Sequence, residues 1–410
     1  MFFSIPWKAW YGPEELKLSF PEEWPVATFG MKNGPALAER EIMETIRNPY
    51  GALPLNILAK GKKNAVIAVD DLSRPTQAQR ILPLVIDELV AAGMETANIL
   101  ILVAFGGHRA MHRFDLIRKF GSAIVENFTI YNHSAFYNLE YCGISSQGTP
   151  IYLNKFFLEA DLKIGIGSIL PHPNAGFGGG GKIVLPGVAG AETIIANHTR
   201  TLAGHVGGLI EVDHNENRSD IEEVAFKAGL NFIVNQVPND LGEVAGIFAG
   251  DLVKAHREGV KFGLEVFSTP KPKAQLDVAI VNSFPMDTDL IQIEKALNVF
   301  GPGNEDVVKP GGTIVIIGAC SEGRGYHMLG DYQLPLWQTI DKNEHTYKVI
   351  GNKNLIVFSP NLRQRDVLDY YPPDTKLCTS WEEALRILCI NHPKGANVGI
   401  FPCGCLQILR

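Results

Sequence analysis

The chain alternates between unbroken apolar runs and amphipathic ones. Residues 64–71, NAVIAVDD, are apolar up to a closing acidic pair. Residues 80–94, RILPLVIDELVAAGM, carry apolar positions at helical spacing and run into a glycine. A second strand-like run, ANILILVAFGGHR (97–109), precedes a helical segment, HRFDLIRKFG (112–121), and a third strand, DLKIGIGSILPHP (161–173). Strands without a polar face need cover on both sides, and amphipathic helices between them supply it. The pattern predicts an α/β fold with mainly parallel sheets flanked by helices. The alternation restarts after FSTPKPKAQ (267–275), whose prolines mark a boundary. There LDVAIVNS (276–283), GGTIVIIGAC (311–320) and NLIVFSP (354–360) read as strands, and DLIQIEKALNVF (289–300) and WEEALRILCI (381–390) as helices. Two α/β domains are expected, 1–266 and 267–410, with the active site in the cleft between them. At the start, residues 1–30 read as short aromatic strands, and PALAEREIMETIRN (35–48) as a helix opening on Pro35.

Composition narrows the class of partner. The net charge is −7 with 20% charged residues, and no basic block suggests a nucleic-acid footprint. No apolar stretch approaches the roughly 20 residues of a membrane span. The opening MFFSIPWKAWYGPEEL lacks the layout of a signal peptide. A soluble, cytoplasmic protein with a small-molecule partner is expected, and nothing fixes its oligomeric state. The six cysteines, Cys142, Cys320, Cys378, Cys389, Cys403 and Cys405, show no paired C-x-x-C arms, so they read as reduced thiols.

Chemistry gathers where the strands end, which is where open α/β sheets bind ligands. Asp70, Asp71 and Arg74 follow the first strand, His108 and Arg109 the second, and His172 the third. His172 also opens the stretch PHPNAGFGGGGKIVLPG (171–187). Gly176 to Lys182 reads G-x-x-x-x-G-K, but Ile183 stands where a P-loop needs a magnesium-binding hydroxyl, and Pro186 and Gly187 obstruct the helix that should follow. Gly176 to Gly181 reads G-x-G-x-x-G, yet five residues separate it from the strand, and Glu192 comes too early for a ribose contact. What survives is a glycine turn, Gly178 to Gly181, whose amides can approach an anion. It ends on Lys182 in an apolar setting, where an amine loses solvation and gains nucleophilic character.

Among eleven histidines, His133, His214, His256, His345 and His392 lie in polar or loop contexts and are expected at the surface. His108, His172 and His198 follow apolar or small-residue segments near the glycine turn, as metal ligands or as acids and bases. His112 and His205 are spares. On 289–300, Gln292 and Lys295 stand three apart, on one helical face. Phe105, Phe177, Tyr326 and Trp337 are candidates for a side-chain pocket, and Arg324 for reading a second carboxylate.

The combination of DDLSRP, GGHR, LPHPNAGFGGGGKIVLPGVAG with NH sixteen residues beyond its lysine, and QIEK in the second domain resembles the lactate racemase family, which uses a nickel-pincer nucleotide. The resemblance covers most of the chain. The loop departs from it in reading GFGGGG, which suggests a branch outside strict lactate racemases. The resemblance implies a pyridinium mononucleotide attached covalently at Lys182 and bordered by Asp71, Leu72, Ser73, Arg74, Gly178, Gly179, Gly180 and Gly181. It implies His198 as the protein's nickel ligand, His108 and His172 as the acid–base pair, and Arg74, Gln292 and Lys295 as substrate contacts. The implied reaction is racemisation or epimerisation of a 2-hydroxy acid by hydride transfer from C2 to the cofactor and back. Cofactor-synthesising enzymes would be transient partners. The residues alone leave room for a hydroxy acid dehydratase or redox enzyme on the same scaffold, or for a non-catalytic nucleotide-binding protein.

Overall fold

A computed structural model of the chain describes residues 1–202, 208–331 and 348–410. His205, Trp337 and His345 lie outside the described residues. The chain divides into two compact units. The first comprises Gly34–Asn239 and Glu243–Gly263. The second comprises Met1–Asn33, Asp240–Gly242 and Leu264–Arg410. Both are α/β, with mainly parallel sheets accompanied by helices.

The first unit is built on a six-stranded sheet in the order Val244–Gly250, Phe232–Pro238, Leu162–Ser168, Ala65–Val69, Ile99–Val103, Thr129–Asn132. All neighbours run parallel except Val244–Gly250, which pairs antiparallel to Phe232–Pro238. In chain order this is the 3-2-1-4-5-6 arrangement of doubly wound sheets. Ala65–Val69, Phe232–Pro238 and Val244–Gly250 are buried at every position, so neither face of these strands meets water. Each buried valine or isoleucine there contributes roughly 1.5–3 kcal/mol relative to exposure. Strand order reverses between Ala65–Val69 and Leu162–Ser168, which run parallel, and a ligand crevice opens beyond the carboxyl ends of such a pair. Asp70 to Thr76 leaves one of these ends, and Ile169 to Lys182 the other. Thr76 joins them, its hydroxyl 2.6 Å from that of Ser168.

The second unit has a six-stranded, wholly parallel sheet in the order Lys376–Cys378, Asn354–Phe358, Val308–Ile317, Leu276–Asn282, Val398–Phe401, Val26–Thr28. The pairing of Val26–Thr28 with Val398–Phe401 corrects the expected boundaries. The N-terminal residues do not belong with the chain that follows them, because their backbone completes the edge of the C-terminal sheet. Trp7, Phe20 and Trp24 bury themselves against Phe358 and Trp381 in the same core.

Two helices differ from expectation. The first begins at Glu39 rather than near Pro35, since Leu37 still donates its amide to Val244 and the Glu41 carboxylate caps the Ala38 amide at 2.7 Å. The segment 289–300 is α-helical only over Leu290–Ile293 and continues as a 3₁₀ turn over Glu294–Phe300. All six cysteines are free thiols. Among the described residues, no helix is long and apolar enough to cross a membrane.

Candidate active site

The turn after Ala65–Val69 is organised around Asp71. Its Oδ2 lies 2.7 Å from His108 Nδ1, and its Oδ1 accepts from the Ser73 amide (2.9 Å) and hydroxyl (2.5 Å). Burial alone would raise this carboxyl. The charge and hydrogen bond of His108, the charge of Arg74 and the hydrogen bond of Ser73 outweigh burial and hold it below the usual carboxylate range. An ionised Asp71 fixes the tautomer of the neutral His108 ring: Nδ1 carries the proton and donates, leaving the lone pair on Nε2. Arg74 donates to the Ser73 carbonyl and hydroxyl at 3.1 and 2.9 Å. Leu72 is buried beneath the turn. Arg109 donates to Asp115 at 2.6 Å, at the start of the next helix.

Beneath the turn lies Lys119, fully buried on the helix Arg113–Phe120. Its ammonium donates to the Asp71 carbonyl (2.7 Å) and the Arg74 carbonyl (2.9 Å), and pairs with Asp70 Oδ1 at 2.9 Å. Burial lowers its pKa, with Asp70 opposing. Nothing in the sequence pattern singles out this lysine, which sits in a charged helical segment.

The second strand end folds into a hairpin, Pro171–His172 against Gly176–Phe177. His172 Nδ1 accepts from the amides of Asn174 (3.2 Å) and Ala175 (3.3 Å), so in the neutral ring the proton sits on Nε2. The chain then enters a 3₁₀ turn, Gly180–Ile183, rather than the long helix of a P-loop. The glycines have a packing reason. A Cβ on Gly178 would stand 2.9 Å from the Ser168 carbonyl, and one on Gly179 would stand 2.8 Å from Asn235 Oδ1. Gly178 donates its amide to Leu170 and Gly180 to Asn235 Oδ1 (2.7 Å), so these two amides are spent inside the protein. Lys182 emerges half-buried from this turn.

His198 lies on the helix Ala191–Leu202, and its Nδ1 is 2.9 Å from the Ile194 carbonyl. Burial pushes its pKa down to about 3, helped by the nearby charges of Lys182 and His108. Its ring is therefore neutral, with Nδ1 donating and Nε2 holding a lone pair, which is the state a metal-ligating imidazole requires. Its neighbour Asn197 donates to Asp220 (2.8 Å), a buried carboxylate that also accepts from Ser145 (2.5 Å) and Thr149 (2.8 Å). No cluster of three or more His, Cys, Asp or Glu side chains suited to a metal occurs among the described residues. One prepared imidazole beside a lysine fits a metal that arrives with most of its donors on an organic group.

The structure thus links five of these residues in the first unit, Asp71 feeling the charges of Arg74 and His108, and His198 those of His108 and Lys182. His172 stands on the same loop as Lys182. In the second unit, the Lys295 ammonium donates to Gln292 Oε1, so the expected shared face holds. Two histidines correct the surface assignment. His133 is buried, donating through Nε2 to the Ala189 carbonyl (2.9 Å), with its pKa pushed down to about 4 by burial. His256 is also fully buried, against the glycine turn.

Comparison with known proteins identifies relatives of the chain. Residues 11–207 match the model of the lactate racemase N-terminal domain. The chain is 33% identical to the lactate racemase of Thermoanaerobacterium thermosaccharolyticum, over 77% of this chain and 74% of that one. It is 34% identical to the lactate racemase of Lactiplantibacillus plantarum, over 91% and 92%. The solved structure of the lactate racemase apoprotein from T. thermosaccharolyticum superimposes over all of both chains, with a TM-score of 0.78 at 27% identity. A Thermotoga maritima protein shares the fold, with a TM-score of 0.70 at 18% identity over 92% of this chain and all of that one. With that degree of identity across nearly the whole length of a curated relative, the chain belongs to the lactate racemase family and is an enzyme of the isomerase class.

Proposed function

We propose that the protein racemises or epimerises a 2-hydroxy acid with a nickel-pincer nucleotide held covalently at Lys182. The observation that carries this reading is the grouping of Lys182 with two imidazoles of fixed tautomer, His108 on Asp71 and His198 on the Ile194 carbonyl. His198 Nε2 would ligate nickel, and the turns Asp71–Arg74 and Gly178–Gly181 would border the nucleotide. When bound, this group supplies an electrophilic carbon that accepts hydride from C2 and gives it back.

The protein's part is proton transfer and orientation. His108 Nε2 takes the hydroxyl proton of one enantiomer, and the imidazolium formed is stabilised by Asp71, 2.7 Å from its other nitrogen. The hydroxyl of the opposite enantiomer points the other way, so a second base is required. We assign that role to His172. Held by two amides of its own hairpin, its neutral ring carries the proton on Nε2, so it acts as a base only once that proton has moved to Nδ1 and the amide contacts have given way. Arg74 would clamp the substrate carboxylate. Gln292 and Lys295 are assigned to the substrate as well, an assignment that substitution tests directly.

Co-expression with the cofactor-synthesising enzymes should give a covalent mass gain that is absent in Lys182→Ala, and about one nickel per chain. The loaded protein should interconvert enantiomers of at least one acid from a panel of enantiopure 2-hydroxy and aldonic acids. If it converts none, the activity assignment is wrong. A product lighter by one water would instead identify a dehydratase.

A further inference from the structure

The helix Glu216–Lys227 carries a guanidinium with no exposure to solvent. Arg218 Nε donates to the Ala175 carbonyl (3.2 Å), one terminal nitrogen to the Gly179 carbonyl (3.1 Å), and the other to the Phe177 carbonyl. The carbonyl between the last two, on Gly178, is taken by His256 Nε2 at 2.8 Å. Arginine can only donate, so the contact between Arg257 and His256 Nδ1 (3.0 Å) makes that nitrogen an acceptor and puts the imidazole proton on Nε2. Arg257 is itself held by Glu222 (2.7 and 3.2 Å) and Asp213 (3.1 Å). Burial pulls Arg218 down to about 10, against the opposing charge of Glu222, so it remains a cation at neutral pH. His256 is kept neutral by burial and by the charges of Arg218 and Arg257.

Burying a guanidinium whose hydrogen bonds go to main-chain carbonyls is costly, and apolar side chains would fill the same volume more cheaply. What an apolar filling cannot do is dictate where several backbone carbonyls point. The four carbonyls gathered here, of Ala175, Phe177, Gly178 and Gly179, lie between His172 and Lys182 on one continuous loop. Positive φ at Gly176, Gly179 and Gly180 lets the backbone take the turns this requires. On the far side, Asn235 Oδ1 takes the Gly180 amide.

We propose that Arg218, seconded by His256, is the positioning residue for Lys182: it locks the glycine turn in the one conformation that aims the amine at its nucleotide. This rests on the reading of Lys182 as the attachment point, but the clamp can be tested without the cofactor. In apoprotein treated briefly with acetic anhydride, acetylation of Lys182 is compared by peptide mass spectrometry with that of Lys60, which is exposed, and Lys119, which is fully buried. In Arg218→Met the released amine reaches solvent, and the Lys182 to Lys60 ratio should rise at least about fivefold while Lys119 stays unmodified, as expected of local opening. His256→Leu should act in the same direction, and His256→Gln, whose amide can still donate to Gly178, should restore the wild-type ratio. Uptake of nucleotide mass during co-expression should fall in the same variants that gain acetylation.

An unchanged ratio in folded Arg218→Met overturns the proposal, as does a rise shared by Lys119, which would mean a general loosening. If Arg218→Met does not fold, the pair His256→Leu and His256→Gln decides by the same ratio. If the wild-type chain takes up no nucleotide, the attachment reading fails, while the acetylation ratio still decides whether the clamp exists.

Discussion

His108 Nδ1 stands 2.7 Å from one oxygen of Asp71, while the other oxygen is saturated by the amide and hydroxyl of Ser73. The carboxylate has one direction left in which to act, and it acts on the imidazole. Asp71→Asn keeps the shape but offers an amide, which can turn a donor toward Nδ1 and reverse the tautomer. Nε2 would then carry the proton and could not accept one. Turnover of the loaded enzyme should fall about 10²- to 10⁴-fold, in the range of lost acid–base catalysis. Circular dichroism should be unchanged, and His108→Asn should cost no more when added to Asp71→Asn. Additive losses would mean the two residues do not work as a pair.

Lys119 holds the same turn from below, and its loss should appear chiefly as instability. Lys119→Met leaves Asp70 buried with Thr76 as its remaining close donor and uncovers the carbonyls of Asp71 and Arg74. Removing one member of a buried ion pair costs about 3–5 kcal/mol. Urea unfolding of the apoprotein should register that cost. Arginine should not rescue, because its planar fork cannot reproduce three divergent contacts. A loss confined to activity, with the unfolding midpoint unmoved, would contradict this.

The parts of the site that could be read in the sequence share one property: they follow unbroken apolar strands. Asp71, His108 and His172 fall at strand ends because the strands are unmistakable, and the topology does the rest. The supporting residues gave no comparable signal. ENRSDIEEVAFK looks like a solvated helix, yet Asn217, Arg218 and Asp220 are buried in it. A charged side chain is buried only when partners elsewhere accept its hydrogen bonds, and those partners are loop carbonyls and hydroxyls distant in sequence. His133 and His256 are buried against the expectation for the same reason. The strand Phe232–Pro238 is interrupted by Asn235 and Gln236, which serve the glycine turn and the Gln77 amide, so its apolar run is broken. The strand Val26–Thr28 belongs with the C-terminal sheet rather than with the chain that follows it, and pairing between opposite ends of a chain leaves no local pattern.

Three imidazoles of the first unit, His133, His198 and His256, make stability fall with acid. All three have folded pKa values below the ordinary histidine value near 6.5, His133 at about 4 and His198 at about 3. Between these limits the unfolded chain binds protons that the folded chain does not, so stability is full above about 6.5 and is lost as pH falls. Together they supply a slope of up to about 4 kcal/mol per pH unit. Urea midpoints of the apoprotein should therefore drop steadily from pH 7 to pH 5. His133→Gln keeps a donor for the Ala189 carbonyl and should flatten that slope by roughly a third. Equal slopes in both proteins would show that His133 titrates normally.

Gly179→Ala separates two reasons for the glycine run. Gly179 has φ +75°, and an added Cβ would stand 2.8 Å from Asn235 Oδ1, the atom that holds the Gly180 amide. With ψ at −171° this backbone lies in a region that essentially only glycine occupies, which costs an alanine about 1–3 kcal/mol, and forcing Asn235 aside costs about 1–3 kcal/mol more. If the glycines are there so that the turn can pack on Asn235, Ser168 and the Arg218 helix, this variant should lose stability as apoprotein and lose attachment at Lys182 when co-expressed with the cofactor enzymes. If they serve only to bring amides to a phosphate and the turn relaxes freely in the apoprotein, that strain is relieved there, and the apoprotein should keep its unfolding midpoint and lose attachment alone. The spent amides of Gly178 and Gly180 favour the first outcome, because a loop serving solely as an anion cradle would not commit two of its donors to Leu170 and Asn235.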